Sequence, residues 1–108
     1  MKLLIAIVQD LDEPILSDHL IDEGFRITKL KTSGGFLQKG NATLLIGVEE
    51  DRLDLCLEII EENCKVRNTK TTYIPQALDS TFINPIPIDI QVGGATIFIL
   101  DVDQFIRY

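Results

Sequence analysis

Leu3–Ile7 reads LLIAI, and Leu44–Val48 reads LLIGV. Leu20–Gly24 reads LIDEG, and Ile59–Asn63 reads IIEEN. An apolar run followed by an acidic amphipathic segment therefore occurs twice, in the same order. A short continuous apolar run fits a buried strand, and apolar residues at helical spacing fit a helix packed against it. The repeat predicts two strand–helix units. Each is followed by further strand-like sequence, which gives an α+β fold in the order β-α-β-β-α-β, the ferredoxin-like split βαβ.

In the first unit, Lys2–Val8 (KLLIAIV) is the strand. Asp10 and Glu13 stand at capping-box spacing. Pro14 suits a first helical turn, where amide hydrogens lack partners in any case. Gly24 accepts the left-handed conformation that closes a helix. These signals predict a helix over about Leu11–Glu23, with Ile15, Leu16, Leu20 and His19 along its stripe. Phe25–Lys31 (FRITKLK) alternates as a half-buried strand does, and Thr43–Val48 (TLLIGV) is a further strand. Leu53, Cys56, Leu57, Ile60 and Cys64 form the stripe of a second helix, with Asn63 as a candidate cap.

Lys65–Pro85 shows no clear period, and a long loop is expected there. Loops of that length in a compact domain are usually functional or disordered. Ile86–Val92 (IPIDIQV) alternates, Gly93-Gly94 fits a two-residue hairpin turn, and Ala95–Val102 (ATIFILDV) completes the sheet. Asp103–Tyr108 is left as a short terminal turn.

The 108 residues suit a single domain, 1–108, with one core. The net charge of −7 argues against general binding to nucleic acid or anionic membranes. No apolar run approaches the roughly 20 residues of a membrane span. With two cysteines and no signal-peptide pattern, a cytoplasmic setting is expected. The charge is uneven: Phe25–Val48 and Asn63–Leu78 contain no acid, yet hold seven of the ten basic residues. Two readings stay open, a solvated surface or a local anion site on an acidic protein.

Catalytic machinery is not apparent. His19 is the only histidine, and no local partner builds a nucleophilic arrangement with it. Cys56 and Cys64 are eight apart on one helix, so they read as core hydrophobes rather than metal ligands. GFLQKGN imitates the glycine spacing of a P-loop, but Asn41 and Ala42 stand where Lys and Ser/Thr belong. No metal, cofactor or enzymatic activity is expected.

The loop TSGGFLQKGN, Thr32–Asn41, offers binding chemistry instead. Gly34 and Gly35 let backbone amides approach a ligand. Phe36 presents a flat face on which a base stacks. Asn41 carries the donor and acceptor that pair with an adenine edge. Arg26 and Thr28, two apart on a strand, share a face and suit a phosphate. Gly47 leaves room for a ring against the sheet. The alternative is a protein-interaction module, with Phe36 and Leu37 anchoring a protein partner without nucleotide.

Three segments carry a resemblance: IAIVQD (Ile5–Asp10), GFRITKLKTSGGFLQKGNATLLIGVE (Gly24–Glu49) and VGGATIFILDVDQF (Val92–Phe105). Together they closely resemble the cyclic-di-AMP receptor family of PII-like signalling proteins, in order along nearly the whole chain. The resemblance implies a homotrimer of ferredoxin-like subunits with three cyclic-di-AMP sites in the clefts between them. It implies a cytoplasmic sensor without enzymatic activity, signalling to an unknown downstream protein partner. The positions it assigns to the ligand read here Arg26, Ile27 and Thr28 on the second strand and Gly35, Phe36, Leu37 and Asn41 from the glycine-rich loop. Gly47 on the third strand and Phe98 on the last complete the set. A short loop after the second strand and a long one after the second helix follow the same pattern. The long uridylylatable loop of true PII proteins is missing, so ATP and 2-oxoglutarate are not implied. Trimerisation has a physical motive as well, because one face of a two-helix sheet is left apolar and wet.

Overall fold

A computed structural model describes residues 1–30, 40–73 and 86–108. The chain runs β1 (Lys2–Gln9), α1 (Glu13–Asp22), β2 (Arg26–Leu30), β3 (Asn41–Val48), a 3-10 turn (Glu50–Arg52) and α2 (Leu53–Cys64). Then follow β4 (Arg67–Tyr73), β5 (Ile86–Val92) and β6 (Ala95–Asp101). It is a mixed α+β fold with two antiparallel sheets. The larger has the order β2-β3-β1-β6, and β4 and β5 form a separate two-stranded ribbon.

The apolar repeat builds the centre of the larger sheet. β1 pairs with β3, Leu4 opposite Ile46, Ala6 opposite Leu44 and Val8 opposite Ala42. Because strand side chains alternate, these residues all point to one face. There they meet Leu16 and Leu20 of α1 and Cys56, Ile60 and Cys64 of α2 in one buried cluster. Burying each leucine or isoleucine contributes about 1.5–3 kcal/mol. The opposite face carries Leu3, Ile5 and Ile7 of β1, Leu45 of β3, and Phe98 and Leu100 of β6. No element among the described residues covers it, and Phe98 is 53% exposed.

Three groups of expectations are corrected. The first helix starts at Glu13, after Asp12 rather than Asp10, and its opening residue makes no side-chain cap bond. Asp12 is engaged elsewhere: Arg67 Nη2 donates to its Oδ1 at 2.5 Å. Ile15 is also 58% exposed, because Leu16 and Leu20 define the buried side and a step of one residue rotates Ile15 away. His19 is exposed too, with Asn63 Nδ2 at 3.2 Å from its Nδ1. Asn63 lies inside α2 and donates to the Ile59 carbonyl at 2.8 Å.

The second correction concerns Lys65–Pro85. Its first part is β4, paired along its length with β5 from Arg67↔Val92 to Tyr73↔Ile86. Residues 74–85 lie outside the described residues. The third concerns Gly93-Gly94, which does not close a hairpin, since β5 pairs with β4 while β6 pairs with β1. The two glycines, at φ 89° and 101°, carry the chain from the ribbon into the larger sheet. A Cβ on Gly93 would run into the Lys65 carbonyl.

The passage from β1 into α1, Gln9–Glu13, is bonded on several sides. The Gly93 N–H donates to Gln9 Oε1 at 2.8 Å, and the Asp10 N–H to the Gly40 carbonyl at 2.7 Å. Asp12 holds Arg67 at the base of β4, and Lys29 Nζ of β2 lies 3.0 Å from Glu13 Oε1.

Candidate functional site

α1 ends in a complete Schellman turn. The Gly24 N–H donates to the Ile21 carbonyl and the Phe25 N–H to the Leu20 carbonyl, both at 2.9 Å. Gly24 supplies the required left-handed backbone at φ 86°. The turn delivers the chain into β2, whose ladder with β3 begins with Arg26 opposite Gly47 and continues with Thr28 opposite Leu45. Opposed residues of an antiparallel pair share a face, so Arg26, Thr28 and Gly47 stand together on the uncovered side.

A cleft of about 550 Å³ opens there, lined by Arg26, Thr28, Gly47, Met1, Leu3, Leu45, Arg52 and Phe105 among others. Its lining is mostly apolar, with Arg26, Arg52, Thr28 and Glu49 among its polar members. Gly47 keeps the floor low, since a Cβ would come 3.0 Å from Met1 Cε. Arg26 is exposed and has no ion-pair partner among the described residues. Such a site can hold a flat or apolar group against the strands and an anion at the edge.

The remaining expected residues are placed differently. Ile27 opposes Ile46 and packs on the core, so only its backbone lies along the site. Asn41 is not in a loop but opens β3, opposite Gln9. Six residues at about 3.3 Å each put it roughly 20 Å from Gly47. Phe98 opposes Ile5 on β6, at the far edge of the sheet from β2. Gly35, Phe36 and Leu37 lie outside the described residues. The chain therefore gathers Arg26, Thr28 and Gly47, and does not bring Asn41 or Phe98 to them.

Among the described residues, the bases of the acid-free windows do not form a single anion patch. Lys29 is held by Glu13 and Arg67 by Asp12, whose hydrogen bond and charge push the Arg67 pKa upward. Among the described basic residues of the first window, Arg26 is the one that lines the cleft.

Arg52 was not among the expected site residues. Its Nη2 donates to the Glu23 carbonyl at 2.6 Å, and its guanidinium carbon sits 4.3 Å from the centroid of the Phe25 ring. The available signal is that Arg52 is the one base in the run EEDRLD. Cys56 and Cys64 are buried free thiols whose pKa burial pushes up to about 11, as core groups rather than reactive ones.

A family model described as cyclic-di-AMP receptor matches residues 1–108, the whole chain. A solved crystal structure, described as that of a functionally unknown protein from Pediococcus pentosaceus ATCC 25745, is similar at 48% sequence identity and a TM-score of 0.77. That match covers 99% of this chain and 96% of the other. With a cleft that pairs a guanidinium with a bare strand position, and a family match from the first residue to the last, this chain belongs to the cyclic-di-AMP receptor family.

Proposed function

We propose that this chain is a sensor that binds cyclic-di-AMP in clefts between the subunits of a PII-like homotrimer and signals without catalysis. The observation that carries the reading is the full-length family match. The cleft supports it: Arg26 and Thr28 would meet a phosphate, and Gly47 would admit a ring against β3. Phe36 would stack on an adenine and Asn41 would pair with its edge. Gly35, Leu37 and Ile27 would contribute backbone and wall contacts, and Phe98 an apolar one.

The separation of Asn41 from Gly47 supports a site shared between subunits. One small ligand does not reach both ends of one strand, whereas two subunits side by side can offer one end each. The uncovered apolar face of Leu3, Ile5, Ile7, Leu45 and Phe98 supports assembly of ferredoxin-like subunits sheet to sheet. The exposed isoleucines of β5, Ile86, Ile88 and Ile90, favour a role for the ribbon as the surface a downstream protein reads. They also sustain the second reading, a nucleotide-free interaction module. The proposed setting is the cytoplasm.

Calorimetric titration with cyclic-di-AMP, with cyclic-di-GMP and ATP as controls, tests the reading. The expected result is binding near one ligand per subunit with weak or absent control signals. No heat and no thermal stabilisation would pass the lead to the interaction module, because a ligand that binds the folded state must raise its stability.

A further inference from the structure

Arg52 stands just after β3, yet it bonds the chain just before β2. Its guanidinium donates to the Glu23 carbonyl at 2.6 Å and lies over the Phe25 ring at 4.3 Å. A Cβ added at Gly24 would sit 3.6 Å from Arg52 Nη1. The clamp thus spans the end of the β2–β3 ladder immediately beyond its terminal pair, Arg26↔Gly47. Terminal pairs of a ladder fray unless something holds them. Here the fraying pair would be the one that lines the cleft, and the residue that holds it lines the same cleft.

We infer that Arg52 is a positioning residue of the ligand site, fixing the Glu23–Arg26 backbone so that the Arg26 guanidinium is held ready for an anionic ligand. This rests on the cyclic-di-AMP reading above. A lysine does not reproduce the function. It has neither the planar face that stacks on Phe25 nor the fork that reaches the Glu23 carbonyl while lying flat. The role also differs from simple charge in the cleft, which a lysine would restore.

The test compares wild type with Arg52→Met, Arg52→Lys and Phe25→Leu. Three quantities are read on each: affinity for cyclic-di-AMP by calorimetry, amide hydrogen exchange of Phe25–Thr28 without ligand, and the melting temperature. Both Arg52 variants are expected to lose about tenfold or more in affinity and to exchange faster at Phe25–Thr28, with a melting transition still cooperative. Phe25→Leu, which keeps the hydrogen bond, should lose less. Full affinity in Arg52→Lys would overturn the inference by assigning Arg52 to charge alone. Lost affinity with unchanged exchange would overturn it by making Arg52 a direct ligand contact. Unchanged affinity in Arg52→Met, with wild type binding, overturns this inference and leaves the receptor reading standing. Failure of wild type to bind overturns the receptor reading and this inference together.

Discussion

Arg26 and Gly47 face each other across the first pair of the β2–β3 ladder, so a guanidinium and a missing side chain lie side by side on the uncovered face of the sheet. The pair couples two requirements of an anionic, ring-bearing ligand: charge at the rim and clearance on the floor. It also makes Gly47 the position at which the floor is most simply blocked.

Gly47→Val should keep the fold, since Gly47 has no positive φ and a β-branched residue suits a strand. The new side chain would meet Met1 Cε and rise into the cleft. The expected result is a melting temperature near that of wild type and a loss in cyclic-di-AMP affinity of about tenfold or more, about 1.4 kcal/mol per tenfold. Titration calorimetry reads it. Wild-type affinity would mean that no ligand atom passes over Gly47.

Phe36→Ala tests the proposed stacking. Phe36 lies outside the described residues, so the prediction rests on its loop chemistry alone. Losing one base–aromatic stack costs about 1–3 kcal/mol of binding. Affinity should fall accordingly while sedimentation shows the same assembly state as wild type. An unchanged dissociation constant removes the stacking role.

The two thiols give the chain a basic limit to its stability. Burial raises both from 9.0 to about 11, and the Asp12 carboxylate adds to the effect at Cys64. Above the unfolded value the unfolded chain releases these protons and the folded chain keeps them. Their contribution is therefore full below about pH 9 and is lost as the pH rises toward about 11. The melting temperature should fall across that window, and less steeply in a Cys56→Ala/Cys64→Ala double variant. Calorimetric scans against pH compare the two slopes, and equal slopes would refute the assignment.

Gly93→Ala and Gly40→Ala separate backbone strain from collision. Both glycines have positive φ, 89° and 109°, but a Cβ on Gly40 meets nothing within 4 Å while one on Gly93 strikes the Lys65 carbonyl. Left-handed strain alone costs on the order of 1–3 kcal/mol. Gly93→Ala should lose more stability than Gly40→Ala by denaturant titration and should speed hydrogen exchange in β4 and β5. Equal losses would mean that the ribbon junction yields without resistance.

The larger sheet was legible because its strands bury one face. LLIAI and LLIGV betray themselves as apolar runs, and the Leu53–Cys64 stripe fits the buried side of α2. β4 was not legible for the opposite reason. Asn68, Thr69 and Lys70 lie exposed, and RNTKTTY carries no apolar alternation. Its β-branched threonines were the remaining cue. Gly93-Gly94 misled because positive φ at two residues serves a strand-to-strand transfer between sheets as well as a hairpin. At the site, Arg26, Thr28 and Gly47 could be grouped by alternation along two neighbouring strands. Arg52 could not, since a hydrogen bond to a carbonyl 29 positions away leaves no local pattern.

The bonds that radiate from Gln9–Glu13 make that passage a fulcrum. Gly40 closes the glycine-rich loop on one side of it, and Gly93 and Arg67 root the ribbon on the other. The shared support is a pair of adjacent residues, Gln9 and Asp10, with no spare chain between them to take up slack. Gly40 and Gly93 are thus each bonded to one of two neighbouring residues at the end of β1, two bonded contacts apart.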